Sequence, residues 1–213
     1  MAVSQRTRMA GQERREAIIE AAKELFSQRG FRGTTTRELA AAVGVTEPVL
    51  YQHFETKQEL YSAIIDQKSQ EIDLKFAGLV HEAVQANDDR AFLRTLATII
   101  WRWYSEDPAY VKLLLYSALE GHELATLCYE RQAVRAYHDV AEHLRRRMEE
   151  GVLRDDVDPA VAARAFFGMV GSFAQATVIF RMPLAEGQTV ETMLNSMVDI
   201  FLAGMVRGGG NHS

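Results

Sequence analysis

The 213-residue sequence predicts an all-α fold of about nine helices, a small three-helix unit at the amino terminus followed by a larger helical body. Three observations carry this prediction. Apolar residues recur at helical spacing, as in Ile18, Ala21, Ala22, Leu25 and Phe26, and no segment alternates with the two-residue period of a half-buried strand. Two helix starts are complete, Thr35 with Glu38 and Thr56 with Glu59, pairs in which hydroxyl and carboxylate each satisfy the other residue's backbone N–H. Glycines at 30, 44 and 121 fall where periodic segments stop, positions that favour a left-handed backbone.

Taken in order, residues 1–12 are polar and read as a mobile arm, and helix 1 is expected from about Glu13 to Arg29. Helix 2 starts after Thr35 and ends at Gly44. Thr46 is placed to cap helix 3, with Pro48 tolerated in its first turn. Thr56 opens a long helix 4, to about Ala86. Asn87-Asp88-Asp89 opens helix 5, to Ser105, and Asp107-Pro108 opens helix 6, to Leu119. A long helix 7 follows Gly121 and reaches Glu150, with Arg145-Arg146-Arg147 near its carboxyl end, where positive charge suits the helix dipole. Asp158-Pro159 opens helix 8, to Phe180, and Thr189 opens helix 9, to Val206. The natural division falls near residue 56, giving an amino-terminal unit of 1–56 and a body of 57–213.

Between Thr34 and Phe54, Leu39, Ala40, Val43, Val45 and Leu50 fall where two short helices joined at Gly44 must bury a shared face. That is a helix-turn-helix, whose second helix enters the DNA major groove. The net charge of −5 weighs against a nucleic-acid binder when taken alone. Residues 1–57, however, hold nine Lys/Arg against seven Asp/Glu, and local charge governs contact with DNA. On helix 3, Gln52 can pair with adenine, Pro48 and Val49 can touch thymine methyls, and Glu47 either accepts from cytosine or simply favours the helix dipole. Arg37 can reach phosphate or a base. The backbone N–H groups near Thr35 and Thr36 can bind phosphate, and Arg6, Arg8, Arg14 and Arg15 either add an arm or remain solvated.

The run Gly30-Phe31, Thr34-Thr35-Thr36-Arg37-Glu38-Leu39-Ala40, Val43-Gly44-Val45, Leu50-Tyr51-Gln52-His53-Phe54 and Thr56-Lys57 resembles the TetR family of bacterial transcriptional regulators over roughly residues 13–65. The resemblance implies phosphate anchors at Tyr51, His53 and Lys57. It also implies a homodimer that represses nearby genes and leaves DNA when a small molecule binds the body. The full DNA-contact set is then Thr35, Thr36, Arg37, Thr46, Glu47, Pro48, Val49, Tyr51, Gln52, His53 and Lys57.

In the body, Trp101, Tyr104, Tyr116, Cys128, Phe167 and Phe173 are candidates to line an effector cavity, or else fill an ordinary core. Polar groups of Leu119-Glu120-Gly121-His122-Glu123 are candidates for its mouth. Helices 8 and 9 are too apolar all round for surface helices, so one face must meet the body and another a partner copy. Phe166, Gly171, Val178, Met193, Met197 and Phe201 are the candidate dimer residues of a four-helix bundle.

Other classes fare worse. Cys128 and His138 lie about 15 Å apart along one expected helix, too far for a nucleophile–base pair. His122-Glu123 is followed by Thr126 where a zinc site needs histidine, and no Gly-rich phosphate loop occurs, so neither enzyme, metal nor cofactor is expected. A helical interaction protein without operator binding is disfavoured by Arg37, Tyr51, His53 and Lys57, while activation rather than repression stays open. One cysteine, no signal peptide and no uncharged apolar run of about 18 residues point to the cytoplasm and away from a membrane.

Overall fold

A computed structural model describes residues 2–85, 87–121, 126 and 133–206. Among them nine helices occur: α1 (Ala2–Arg29), α2 (Thr36–Val43), α3 (Glu47–His53), α4 (Lys57–Gln85), α5 (Asp89–Ser105), α6 (Pro108–Leu119), α7 (Arg135–Glu149), α8 (Pro159–Val178) and α9 (Val190–Met205). The only extended pairing among these residues is an antiparallel bridge between Leu153 and Val206. One expectation changes at the start: α1 begins at Ala2, so the polar segment expected as an arm is helical. Its Arg, Met, Ala and Gln residues are strong helix formers with no proline to stop them. The expected beginning of helix 7 after Gly121 lies mostly outside the described residues.

The caps follow the sequence closely. The Asp88 carboxylate accepts from Ala91 N–H at 3.0 Å, and Asp158 accepts from Ala160 and Val161 ahead of α8. Thr189 forms a reciprocal box with Thr192 at the head of α9. Thr56 accepts from Glu59 N–H, but the Glu59 carboxylate reaches one residue further back, to Glu55 N–H.

The chain divides into two compact units, Met1–Glu71 with Ala109–Tyr129, and Ile72–Pro108 with Glu130–Ser213. The first unit extends beyond residue 56 because the opening turns of α4 complete its core. Leu60, Tyr61, Ile64 and Ile65 are buried, as are Ile18, Phe26, Leu39, Leu50 and Phe54. Phe26, Phe31 and Tyr61 form an aromatic knot with ring centroids 5.1–5.8 Å apart. α6 joins this unit where the Tyr61 hydroxyl donates to Leu113 O at 2.9 Å.

In the second unit α5, α7, α8 and α9 share one core. Phe92, Leu93, Leu96, Ala97 and Ile100 recur at helical spacing on α5, and Ala162, Ala163, Phe166 and Val170 on α8, with small residues admitting close approach. By length and composition alone α8 is apolar enough to cross a membrane. Its buried stripe belongs instead to this helical core.

Candidate functional site

The helix-turn-helix is held by its own polar groups. Thr35 caps α2 in a complete capping box, and the Glu38 carboxylate that closes it also pairs with Arg29 at 2.6 Å. Hydrogen bonds from Thr35, with Arg29 beside them, hold the Glu38 carboxyl below its usual range. Gly44 ends α2 at φ +72°, a conformation that costs a residue with a Cβ about 1–2 kcal/mol. Leu39, Ala40, Leu50 and Phe54 are buried as expected, and Val43 and Val45 are half-buried.

The outer surface carries most of the expected DNA set. Thr35, Arg37, Thr46, Pro48, Tyr51 and Gln52 are exposed, with Tyr51 46% accessible. Thr36, Glu47, Val49, His53 and Lys57 are half-buried. Three of these have internal work. The Thr36 hydroxyl donates to the Glu47 carboxylate at 2.8 Å, bridging α2 and α3. The Lys57 ammonium donates to Phe31 O at 2.6 Å and Thr34 O at 2.8 Å and lies 4.1 Å from the Phe31 ring centroid. Burial pushes the Lys57 amine down, and Glu120 pulls it back up. Thr46 occupies the cap position of α3 with extended backbone, yet its hydroxyl makes no cap hydrogen bond. Pro48 removes one of the two N–H groups such a cap would serve. The Arg15 guanidinium sits 4.6 Å from the Phe54 ring centroid, which gives this expected arm residue a packing role.

Glu120 was expected at the mouth of an effector cavity. Its carboxylate instead accepts from the backbone N–H groups of Phe31, at 3.1 Å, and Arg32, at 3.3 and 3.4 Å. Nothing local in the sequence announces a contact across 88 or 89 positions. His122 and Glu123 lie outside the described residues.

Four of the six candidate effector residues fall together in the second unit. Trp101 faces Phe173 with centroids 5.7 Å apart, and Phe167 meets Tyr137 edge-on at 4.7 Å. Tyr104 packs edge-on against Trp103, and burial, with Tyr137 nearby, pushes its phenol up. Tyr116 belongs to the first unit, beside Gly30, and is not part of this layer. Cys128 lies outside the described residues. Tyr137 and Arg164, whose guanidinium lies 5.6 Å from the Tyr137 ring centroid, are additional neighbours absent from the expected set.

The candidate dimer residues need one correction. Phe166 is fully buried in its own protomer, edge-on to Phe201 at 5.0 Å, and so has no surface to offer a partner. Gly171 is half-buried, and a Cβ there would lie 3.9 Å from the Tyr104 hydroxyl. Val178, Met193, Met197 and Phe201 are half-buried. The exposed stripe runs one step around the helices, through Val161, Gly168 and Ser172 on α8 and Ile200 and Ala203 on α9. Two apolar faces on one helix look alike in sequence, and only packing decides which turns inward.

Comparison with known proteins agrees with this layout. Residues 18–64 match the family model for bacterial regulatory proteins of the tetR family, and residues 91–204 match that for the AefR-like transcriptional repressor C-terminal domain. The nucleoid occlusion factor SlmA of Marinobacter nauticus is 26% identical over 165 residues, 78% of this chain and 82% of that protein. The transcriptional repressor KstR2 of Rhodococcus jostii is 25% identical, over 90% of this chain and 91% of its own. The crystal structure of AibR in complex with isovaleryl coenzyme A and operator DNA superposes with a TM-score of 0.64 at 26% identity, covering 88% of this chain and 97% of that one.

Proposed function

This chain belongs to the tetR family of bacterial regulatory proteins, and we propose that it is a homodimeric repressor that grips a palindromic operator and releases it when a small apolar or aromatic molecule enters the helical body. Family membership makes it a DNA-binding regulator and not an enzyme. DNA binding is assigned to residues 1–56, and effector binding and dimerisation to 57–213. This reading implies the cytoplasm as its compartment, because that is where an operator is reached.

The observation that carries the reading is the outer surface of α2 and α3. Arg37, Tyr51 and Gln52 stand exposed on a pair of helices whose inner face is closed by Leu39, Ala40 and Leu50. Gln52 both donates and accepts, as reading an adenine edge requires. Pro48 and Val49 offer apolar contact to thymine methyls, and Tyr51 and His53 flank them as phosphate anchors. Lys57 contributes its charge and its remaining N–H, and the N–H groups near Thr35 and Thr36 add further phosphate contacts.

Two copies must meet so that their α3 helices lie about 34 Å apart, the spacing of successive major grooves. The exposed Val161, Gly168, Ser172 and Ile200 stripe suits that role, because small residues let the partner's helices approach closely. The aromatic layer of Trp101, Tyr104, Phe167 and Phe173 supports an apolar or aromatic effector. An acyl thioester is the second effector reading, from the isovaleryl coenzyme A held by AibR. Release requires the effector to bind the DNA-competent and DNA-incompetent states with different affinity.

The test is binding of the purified protein to its own upstream DNA against scrambled DNA of equal length, at several salt concentrations. A strong preference for the upstream DNA, lost in Tyr51→Ala with helicity intact, is expected. Weak, equal binding to both that falls steeply with salt is electrostatic association alone and overturns the reading.

A further inference from the structure

We propose that Glu120, at the end of α6, is the positioning residue that sets the pose of the DNA-reading helices, by holding the α1–α2 turn through its backbone N–H groups. The inference rests on the operator-binding reading above. The turn spans residues 30–34 and leads directly into the Thr35 cap of α2.

Two side chains of opposite charge grip this turn. On its carbonyl side the Lys57 ammonium takes Phe31 O and Thr34 O. On its amide side both Glu120 oxygens take the N–H groups of Phe31 and Arg32. A carboxylate accepting from backbone amides makes charge-assisted bonds, stronger than neutral ones. Gly30 makes room for it. A Cβ there would lie 2.3 Å from the Glu120 Oε1, and the φ of +72° already favours glycine.

From the turn the constraint reaches the DNA face in two steps. The Thr34 hydroxyl donates to Gly30 O at 2.9 Å, so the turn and the start of α2 move as one piece. The Thr36–Glu47 bond then carries α3 with α2. Lys57 belongs to the helix that follows the helix-turn-helix. Glu120 comes from 88 positions beyond Arg32, so its hold depends on where α6 sits. Without it the α2–α3 pair samples further poses, and operator affinity falls with the fraction of molecules in the competent one.

Full-length wild type, Glu120→Ala and Glu120→Gln would be compared in two measurements. The first is amide hydrogen exchange at Phe31 and Arg32. The second is binding to the protein's own upstream DNA and to scrambled DNA. Glu120→Ala is expected to exchange faster at those two amides and to bind upstream DNA about tenfold more weakly, with an unchanged salt slope. Glu120→Gln keeps an acceptor oxygen and is expected to recover most of both. The two variants carry the same charge, so a difference between them reports the hydrogen bonds and not the field. Wild-type exchange and affinity in Glu120→Ala, or equal weakening in both variants, overturns the proposal. Should Glu120→Ala fail to fold, Glu120→Asp, one methylene short of the turn, replaces it with the same expected losses. If wild type itself shows no preference for the upstream DNA, the operator reading fails. The exchange data then still decide whether Glu120 holds the turn.

Discussion

The Thr36 hydroxyl donates to the Glu47 carboxylate at 2.8 Å, joining the first residue of α2 to the first residue of α3 across the Gly44 turn. The bond gives Glu47 a structural task that either reading from the sequence, cytosine contact or dipole partner, left out. Thr36→Val removes the donor and is expected to cost about 1 kcal/mol in denaturant unfolding. Glu47→Ala removes the acceptor and also a negative charge from the DNA-facing surface. Binding to scrambled DNA is therefore expected to strengthen and the preference for the upstream DNA to shrink, read by competition binding. Unchanged preference would confine Glu47 to the internal bond.

Lys57 divides its ammonium between the turn and the solvent side. Lys57→Met is expected to weaken binding to all DNA sequences and to lower the salt slope by about 1, the signature of one lost phosphate contact. Lower affinity at an unchanged slope would restrict Lys57 to the clamp on Phe31 O and Thr34 O.

His143 lies in a buried network of the second unit. Its Nε2 is 3.0 Å from Asp89 Oδ1, and its Nδ1 is 3.2 Å from Arg146 Nη2. Arginine only donates, so Nδ1 accepts and the imidazole proton resides on Nε2. The ring stacks on Phe92 at 3.9 Å, and Arg147 also donates to Asp89. Burial pushes this histidine below its ordinary value of 6.5; Asp89 acts in the opposite sense, and Arg146 and Arg147 push with burial. Below pH 6.5 the unfolded chain therefore takes up more protons than the folded one, and stability falls as pH drops towards the depressed folded value. The loss is limited to about 1.4 kcal/mol per pH unit for a single group. Unfolding measured between pH 7.5 and pH 5, as an experimental range of about 2.5 units, is expected to show a shallower decline in His143→Gln than in wild type.

Phe166 and Ile200 separate the buried core from the exposed stripe proposed as the dimer interface. Phe166→Ala opens a cavity in the protomer core and is expected to cost about 3–5 kcal/mol. Ile200 is 66% exposed, so Ile200→Ser is expected to change protomer stability by less than about 0.5 kcal/mol while weakening self-association. Sedimentation across a concentration series reads the second effect. An unaltered dimer in Ile200→Ser moves the interface elsewhere.

The sequence by itself determined the helices, most of their caps and the buried inner face of the helix-turn-helix. These depend on local rules: apolar spacing buries Leu39, Ala40 and Leu50, Thr35 with Glu38 closes a capping box, and Asp88, Asp158 and Thr189 each serve N–H groups within three residues. Tertiary structure alone decided which apolar face turns inward and which distant polar groups meet. Phe166 and Ile200 lie on helices apolar on more than one side, where period marks a face but not its neighbour. Glu120 looked like a polar residue at a helix end until the fold brought it to Phe31 and Arg32. Such a pairing joins residues with no local register, and only three-dimensional packing brings them within hydrogen-bond reach.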